Sequence, residues 1–374
     1  MSSFLLVVLF LSFSCYGVEC RRKVSRQLQK PKLTDEYDCV DIYKQPAFDN
    51  VLLKNHKIQM NPSSLPKFKS NNKLSFDRHR SLPLQTKGSC LDGMVPIQRS
   101  RINNLTDLRS ISKLHLGNIR ISTSGRHVAA FHTKLHKPGI YGARAVIDLY
   151  NPAVKLDQVS MSMIWVEGGP LAELNSIQYG WAVNPRLYGD NLTRTTAYWT
   201  ADGSQKTGCY NLMCPGFIQV HPKYHVGSPY KPISVTGGKI YITQPMIYKD
   251  PESGNWWLLL DTGVRIGYWP KEILPHLSKA ATFVQYGGLT YSSPNGLSPP
   301  MGNGRFPTRN IHESCFFAQL QTVNKFNDLV SIEQDSLQKV VDNTNCYDAK
   351  HWGNRYGTLA QTFSFGGPGG ICGL

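Results

Sequence analysis

An amide occupies the middle of NSIQYGWAV (Asn175–Val183), a stretch whose residues alternate in the manner of a strand. From Ser176 onward one face carries Ser, Gln, Gly and Ala, and the other carries Ile, Tyr, Trp and Val. Gln178 therefore points away from the bulky apolar side. Such an amide is either an ordinary surface group or a hydrogen-bonding group at a reactive centre. Other candidates are weaker. Cys315 follows His312 in HESCFFAQL, but closeness in sequence is all that suggests a Cys–His pair, and a spare or disulfide cysteine is the simpler reading. The histidines of HTKLH (His132, His136) and HPKYH (His221, His225) are spaced i,i+4, yet both segments read as extended or proline-broken, so no helix face gathers them. The chain contains no H-E-x-x-H, no C-x-x-C and no G-x-S-x-G. FGGPGG, at residues 365–370, lacks the strand–turn–helix setting of a phosphate loop. Neither a metal site nor a cofactor is expected.

The elements that would position Gln178 are β-strands. From Gly142 onward, ARAVIDLY, VSMSMIWV, GKIYITQPMIY and NWWLLLDTGVRIGYW are rich in aromatic and β-branched residues. Clusters of Gly, Pro, Asn and Ser divide them, the signature of an antiparallel sandwich or barrel. Val159, Met161, Met163 and Trp165 share one face, with Ser160 and Ser162 opposite. PKEILPHLSKAA reads as one short helix disturbed by Pro275, and Glu167, beside GGP, reads as part of a turn. The fold class expected is all-β, with no internal repeat.

The chain opens on an apolar run from Phe4 to Phe13, the length of a signal-peptide core and too short for a bilayer span, with Gly17 at the expected cleavage site. A secreted protein is expected. Eight cysteines then remain besides Cys15, which suits disulfides, and sequence alone leaves their pairing open. Sequons stand at Asn104 and Asn191, while Pro62 excludes Asn61. Charge divides the rest. Residues 18–126 hold 21 Lys and Arg against 9 Asp and Glu, whereas residues 127–374 hold 20 against 16. The leading part is a separate electrostatic object, and its polar stretch at residues 61–89 reads as a mobile linker. Secretion and the lack of a recognition motif argue against nucleic acid, and acidic cell-wall polymers would feel the same field.

Several long blocks now point to a family. DCVDIYKQPAFDNVLLKNHKIQM (Asp38–Met60) and SCLDGMVPIQR (Ser89–Arg99) resemble the activation segment of the plant neprosin family. GARAVIDLYNP, NSIQYGWAVNPRLYGDN, YWTADGSQKTGCYNLMCPGFIQV, GYWPKEIL, VQYGGLTYSS and FGGPG resemble its C-terminal domain. The resemblance runs in order from Asp38 to the end. It implies a signal peptide over 1–17, an activation segment over 18–126 that covers the cleft, and a β-sandwich peptidase-like domain over 127–374. It also implies disulfides Cys209–Cys214 and Cys346–Cys372, and Cys39–Cys90 in the activation segment. Cys20 and Cys315 are left without partners.

The family's active member is an acid glutamic endopeptidase that cuts after proline, using two glutamates on facing strands that share a proton. Its first block reads NSIEAGW and its second EWGGEV, against NSIQYGW and QYGGLT here. The resemblance thus places the two catalytic positions at Gln178 and Leu289. An amide cannot store a proton and leucine can do nothing polar, so a pseudopeptidase binding proline-rich peptides is the reading preferred from sequence. An endopeptidase using another of the six glutamates from Glu167 to Glu333, or a basic wall-associated structural or defence protein, are the alternatives.

The charge division yields a measurement. The full chain should bind an anionic matrix at low salt and elute near physiological strength, since about 0.1 M salt screens charges beyond about 10 Å. Residues 127–374 alone should bind weakly. Equal retention of both forms on a pectin column would show that residues 18–126 are not the anchor.

Overall fold

Period-two alternation is converted into two stacked antiparallel sheets. The computed structural model describes residues 37–68, 79–85, 90–99, 124–134, 139–261, 263–353 and 361–373. The expected signal peptide, the sequon at Asn104, Cys20 and His136 lie outside them. The sheet that matters here has seven strands: β1 (Arg126–Thr133), β2 (Val159–Gly168), β3 (Asn175–Val183), β4 (Arg194–Thr200), β5 (Cys209–Tyr210), β6 (Phe283–Tyr291) and β7 (Leu337–Val341). Their spatial order is β5–β4–β3–β2–β6–β1–β7. β2, rich in β-branched and long apolar residues, is central and pairs without a register shift along β3 and β6.

The second sheet is built chiefly from the strands Gly142–Asp148, Pro245–Lys249, Trp256–Leu260, Val264–Trp269 and Cys315–Val323. The main core lies between the sheets. Ile164, Val166, Tyr179 and Trp181 from β2 and β3 join Ile147, Leu258, Trp269 and Phe317 from the other side, all essentially without exposure. Most of the aromatic supply that sequence allowed for a groove is spent here or in the smaller cluster of Leu187, Tyr188, Tyr198 and Tyr210. Val159, Met161, Met163 and Trp165 do share the opposite, outer face of the seven-stranded sheet. The expected all-β class stands.

Three local expectations change. PKEILPHLSKAA is not one helix but two 3-10 turns, Lys271–Ile273 and Pro275–Leu277, because Pro275 has no N–H to continue the first. A helix that pattern reading passed over, α1 (Pro185–Tyr188), has a full set of signals: the Asn184 side chain accepts from the Leu187 N–H, Pro185 stands at the first position, and Gly189 closes it at φ +74°. Glu167 lies within β2 rather than in a turn, since the turn begins at Gly169.

The described residues of the activation segment are packed against the second sheet and its edges. Ala47, Phe48 and Ile58 pack with Tyr248, Trp257 and Tyr268 on the outer face of the second sheet, while Ile42, Leu53 and Val95 join the main core. Part of the supposed linker is docked there as well: Lys67–Phe68 pairs in parallel with Asp328–Ser331, and His79–Arg80 with Tyr241–Thr243. All three disulfides implied by the resemblance are formed: Cys39–Cys90, Cys209–Cys214 and Cys346–Cys372.

One buried acid in the core carries a pH dependence. Asp148, with no exposed surface, accepts from the Cys315 thiol at 2.9 Å and the Phe316 N–H at 3.0 Å through Oδ1, and its Oδ2 has no partner. Burial pushes its carboxyl up from 3.8 to about 8, against the weaker pull of those hydrogen bonds. Below about pH 4 folded and unfolded chains both hold the proton. As pH rises, the unfolded carboxyl ionises first and stability drains away until the folded one ionises near pH 8. The loss is on the order of 5 kcal/mol. Asp148→Asn, whose amide oxygen still accepts both bonds, should flatten this slope between pH 4 and 8 in denaturant titrations. An unchanged slope would place the pH dependence elsewhere.

Candidate functional site

The site is a row of side chains across the outer face of the seven-stranded sheet. Antiparallel neighbours point to the same face, so pairing names the row directly. Gln178 on β3 pairs with Tyr198 on β4 and with Trp165 on β2; Trp165 pairs with Gln285 on β6, and Gln285 with His132 on β1. Read across the sheet, the row is Tyr198, Gln178, Trp165, Gln285, His132. Aromatic rings and amides alternate.

This register sets the two positions expected from sequence apart in the sheet. Leu289 shares the face but lies four residues further along β6, paired with Met161 and Val128. At about 3.4 Å per residue and about 4.8 Å per strand, its Cα is about 16 Å from that of Gln178. No single water spans that gap. Gln285, two strands over in the same row, is about 10 Å away, which leaves room for a ligand between two long side chains. Gln285 aligns with the first residue of QYGGLT, and the family block EWGGEV begins with a glutamate there. Period two leaves both positions of the block on one face, and only the strand register separates them.

Both amides are buried and incompletely bonded. Gln178 Nε2 donates to Ser176 Oγ at 3.1 Å, and Ser176 Oγ donates to Glu167 Oε1 at 3.0 Å. This chain fixes which end of the Gln178 amide faces outward: its Oε1 has no partner, and neither amide atom of Gln285 has one. A buried amide group without a partner costs about 1–3 kcal/mol, so three such atoms in one row are an expensive arrangement for packing alone.

The neighbouring row is nearly smooth. It runs through Gly180, Met163, Gly287 and Ala130. A Cβ at Gly180 would run into the Ser162 carbonyl oxygen, so glycine is required there by the close approach of β2. The result is a low floor beside a row of amides and rings.

The remaining acids are dispersed, with one exception. Glu173 meets His276 at 2.9 Å on the surface, Glu272 lies 3.7 Å from His56, and Glu313 is bonded to Thr308. Glu167, buried and one row from Gln178, is the acid that folding brings near the site. The Cys315–His312 pair does not form: the thiol is buried against Asp148 and held well above its ordinary pKa by burial, while His312 is exposed near the Gly238 carbonyl. His221 accepts from two backbone N–H groups and His225 is bonded at the Val226 carbonyl, so neither shares a ligand set with the other. Among the described residues no cluster of three or more His, Cys, Asp or Glu is gathered as metal ligands. Asn191 stands exposed between α1 and β4.

Together these features define a two-sheet antiparallel β-sandwich with a polar row on the outer face of one sheet. The chain belongs to the Neprosin family: the Neprosin domain matches residues 156–368, and the Neprosin activation peptide matches residues 30–136. The activation-peptide match thus runs into β1, which is structurally a strand of the sandwich. Similarity to solved structures is distant. Scytalido-glutamic peptidase with a peptide-based transition state analog is 10% identical, covering 65% of this chain and 97% of that one at a TM-score of 0.34. SCP-B, a member of the eqolisin family of peptidases in a complex with the tripeptide Ala-Ile-His, is 9% identical, with 65% and 97% covered at 0.31. Likeness at that level decides nothing about chemistry.

Proposed function

We propose that this protein is a secreted peptide-binding member of the Neprosin family, in which the hydrolytic carboxylate pair is replaced by the two amides Gln178 and Gln285. The observation that carries this reading is the alternating row with its three unpartnered amide atoms. Hydrolysis by a glutamic peptidase needs one group to take a proton from water and another to give one back. Two amides can do neither, but they can accept a peptide N–H and donate to a peptide C=O. Trp165 and Tyr198 flank Gln178 with flat apolar faces, the surface on which extended proline-rich segments pack. The ligand class is therefore an extended, proline-containing peptide. The row is buried in the full chain, so binding requires its surroundings to open.

A second reading rests on Glu167. Its carboxylate is linked to Gln178 through a single hydroxyl, which makes a Gln–Glu site one row wide conceivable on geometric grounds. In that case the protein is an acid endopeptidase.

One experiment separates the two. Full-length protein, before and after limited proteolysis within residues 100–124, is incubated with a proline-containing peptide library across acidic and neutral pH and analysed by mass spectrometry. The unmodified protein should retain peptides without cutting them. Gln178→Glu combined with Gln285→Glu should introduce acid-dependent cleavage at least about tenfold above background, a barrier change of about 1.4 kcal/mol. Leu289→Glu in place of Gln285→Glu should not. Because a new buried carboxyl costs stability, cooperative thermal unfolding of each variant is checked first. Cleavage by the unmodified protein at the double variant's rate would overturn the non-catalytic reading, and its loss in Glu167→Gln would establish the second.

A further inference from the structure

The activation segment is fastened to the sandwich as a subunit is, not as a loose cover. Two glutamines clasp each other at one end. The Gln219 N–H donates to Gln45 Oε1 at 2.8 Å, Gln45 Nε2 returns a bond to the Gln219 carbonyl at 3.2 Å, and Gln219 Nε2 reaches the Pro96 carbonyl at 2.9 Å. Both side chains are buried. At the other end Asp250, fully buried, accepts from the Ser63 N–H at 2.8 Å, the Ser63 hydroxyl at 2.6 Å and Gln59 Nε2 at 3.1 Å. Gln59 is held from its other side: its Oε1 accepts from Asn255 at 2.8 Å, and its backbone N–H donates to the Tyr268 hydroxyl at 2.9 Å. Tyr248 donates to the Ser64 carbonyl at 3.0 Å.

Apolar contact runs between these clamps. Ala47 is buried against the face carrying Trp257 and Tyr268, while Leu53 and Val95 are sealed into the main core with no exposed surface. Lifting the segment away would bare a contiguous aromatic and aliphatic face, and patches beyond a few hundred Å² are rarely left open on a soluble surface. The polar contacts named here already number about as many as a typical protein–protein interface of standard size provides.

Among the described residues no disulfide joins the two parts. Cys39–Cys90 closes within the segment, while Cys209–Cys214 and Cys346–Cys372 close within the sandwich. Backbone connects them only through residues 100–125. We propose that Tyr37–Gln98 is a permanent, non-covalently held subunit of this fold, which remains bound to residues 126–373 after the chain is cut between residues 100 and 125. Cutting then leaves the segment in place.

The test uses the full chain with a site-specific protease sequence inserted between Ser100 and Gly125. After cutting, the two pieces should co-elute in size exclusion at neutral pH, and they should separate on a denaturing gel without reductant. The thermal midpoint should move by no more than a few degrees. Gln59→Ala with Ser63→Ala, which strips Asp250 of its clamp, should leave the uncut chain folded yet let the cut segment dissociate on dilution. Elution of a folded sandwich apart from a free segment would overturn the proposal. So would aggregation of the sandwich with the segment left in solution. If the cut variant stays together as tightly as the cut parent, the Asp250 clamp is not what holds the segment, and the proposal fails in that part.

Discussion

Unshifted pairing of one central strand with both neighbours is the constraint on which the site depends. β2 pairs residue for residue with β3 and with β6 along their whole length. Because side chains alternate, a slip of one residue on either side would send every member of the row to the core and bring Tyr179 and Tyr286 out. The core forbids that, since those two tyrosines and Trp181 fill the space between the sheets. The interior thus holds the outer face in register, although Trp165 and Tyr198 of the row belong to other clusters than the main core. Gly180 enforces the same register locally, since no side chain fits where β2 crosses it.

Given that frame, the chemistry turns on four amide atoms. A carboxylate pair would share a proton and hold water between them; an amide pair has fixed donors and acceptors and no proton to share. Replacing one by the other keeps size and shape almost unchanged. The glycines of the neighbouring row, the aromatic spacing and the hydroxyl that orients Gln178 are the same whichever pair is present. In the proposed reading such a row pairs with a peptide backbone, whose N–H and C=O alternate with the same demand for complementary partners.

Much of this was legible in the sequence. Alternation in VSMSMIWV assigned Met161, Met163 and Trp165 to one face, and the blocks around Gln178 and the cysteines carried the family and all three bridges. The rest was of a different kind. Which of Leu289 and Gln285 lies in the row of Gln178 was beyond reach, because the two share strand and face and pairing register is a long-range property. Glu167 looked like turn because GGP follows it, yet the strand persists until Gly168 since Ser176 and Phe283 still pair opposite. Asn61–Phe68 looked like linker because it is polar, and it is polar because Asp250 and a sheet edge are its partners. Short-range composition carries no trace of a partner nearly two hundred residues away.

The thiol of Cys315 has a consequence outside binding or catalysis. It stands in a chain that also carries three disulfides, and an unpaired thiolate near them would be a standing invitation to exchange. Attack requires the ionised sulfur and a path to it. Burial denies the path and is the main reason the thiol resists ionisation, and the bond it donates to Asp148 adds to that. Cys315, the free cysteine among the described residues, is thereby kept from exchange with the bridge at Cys346–Cys372.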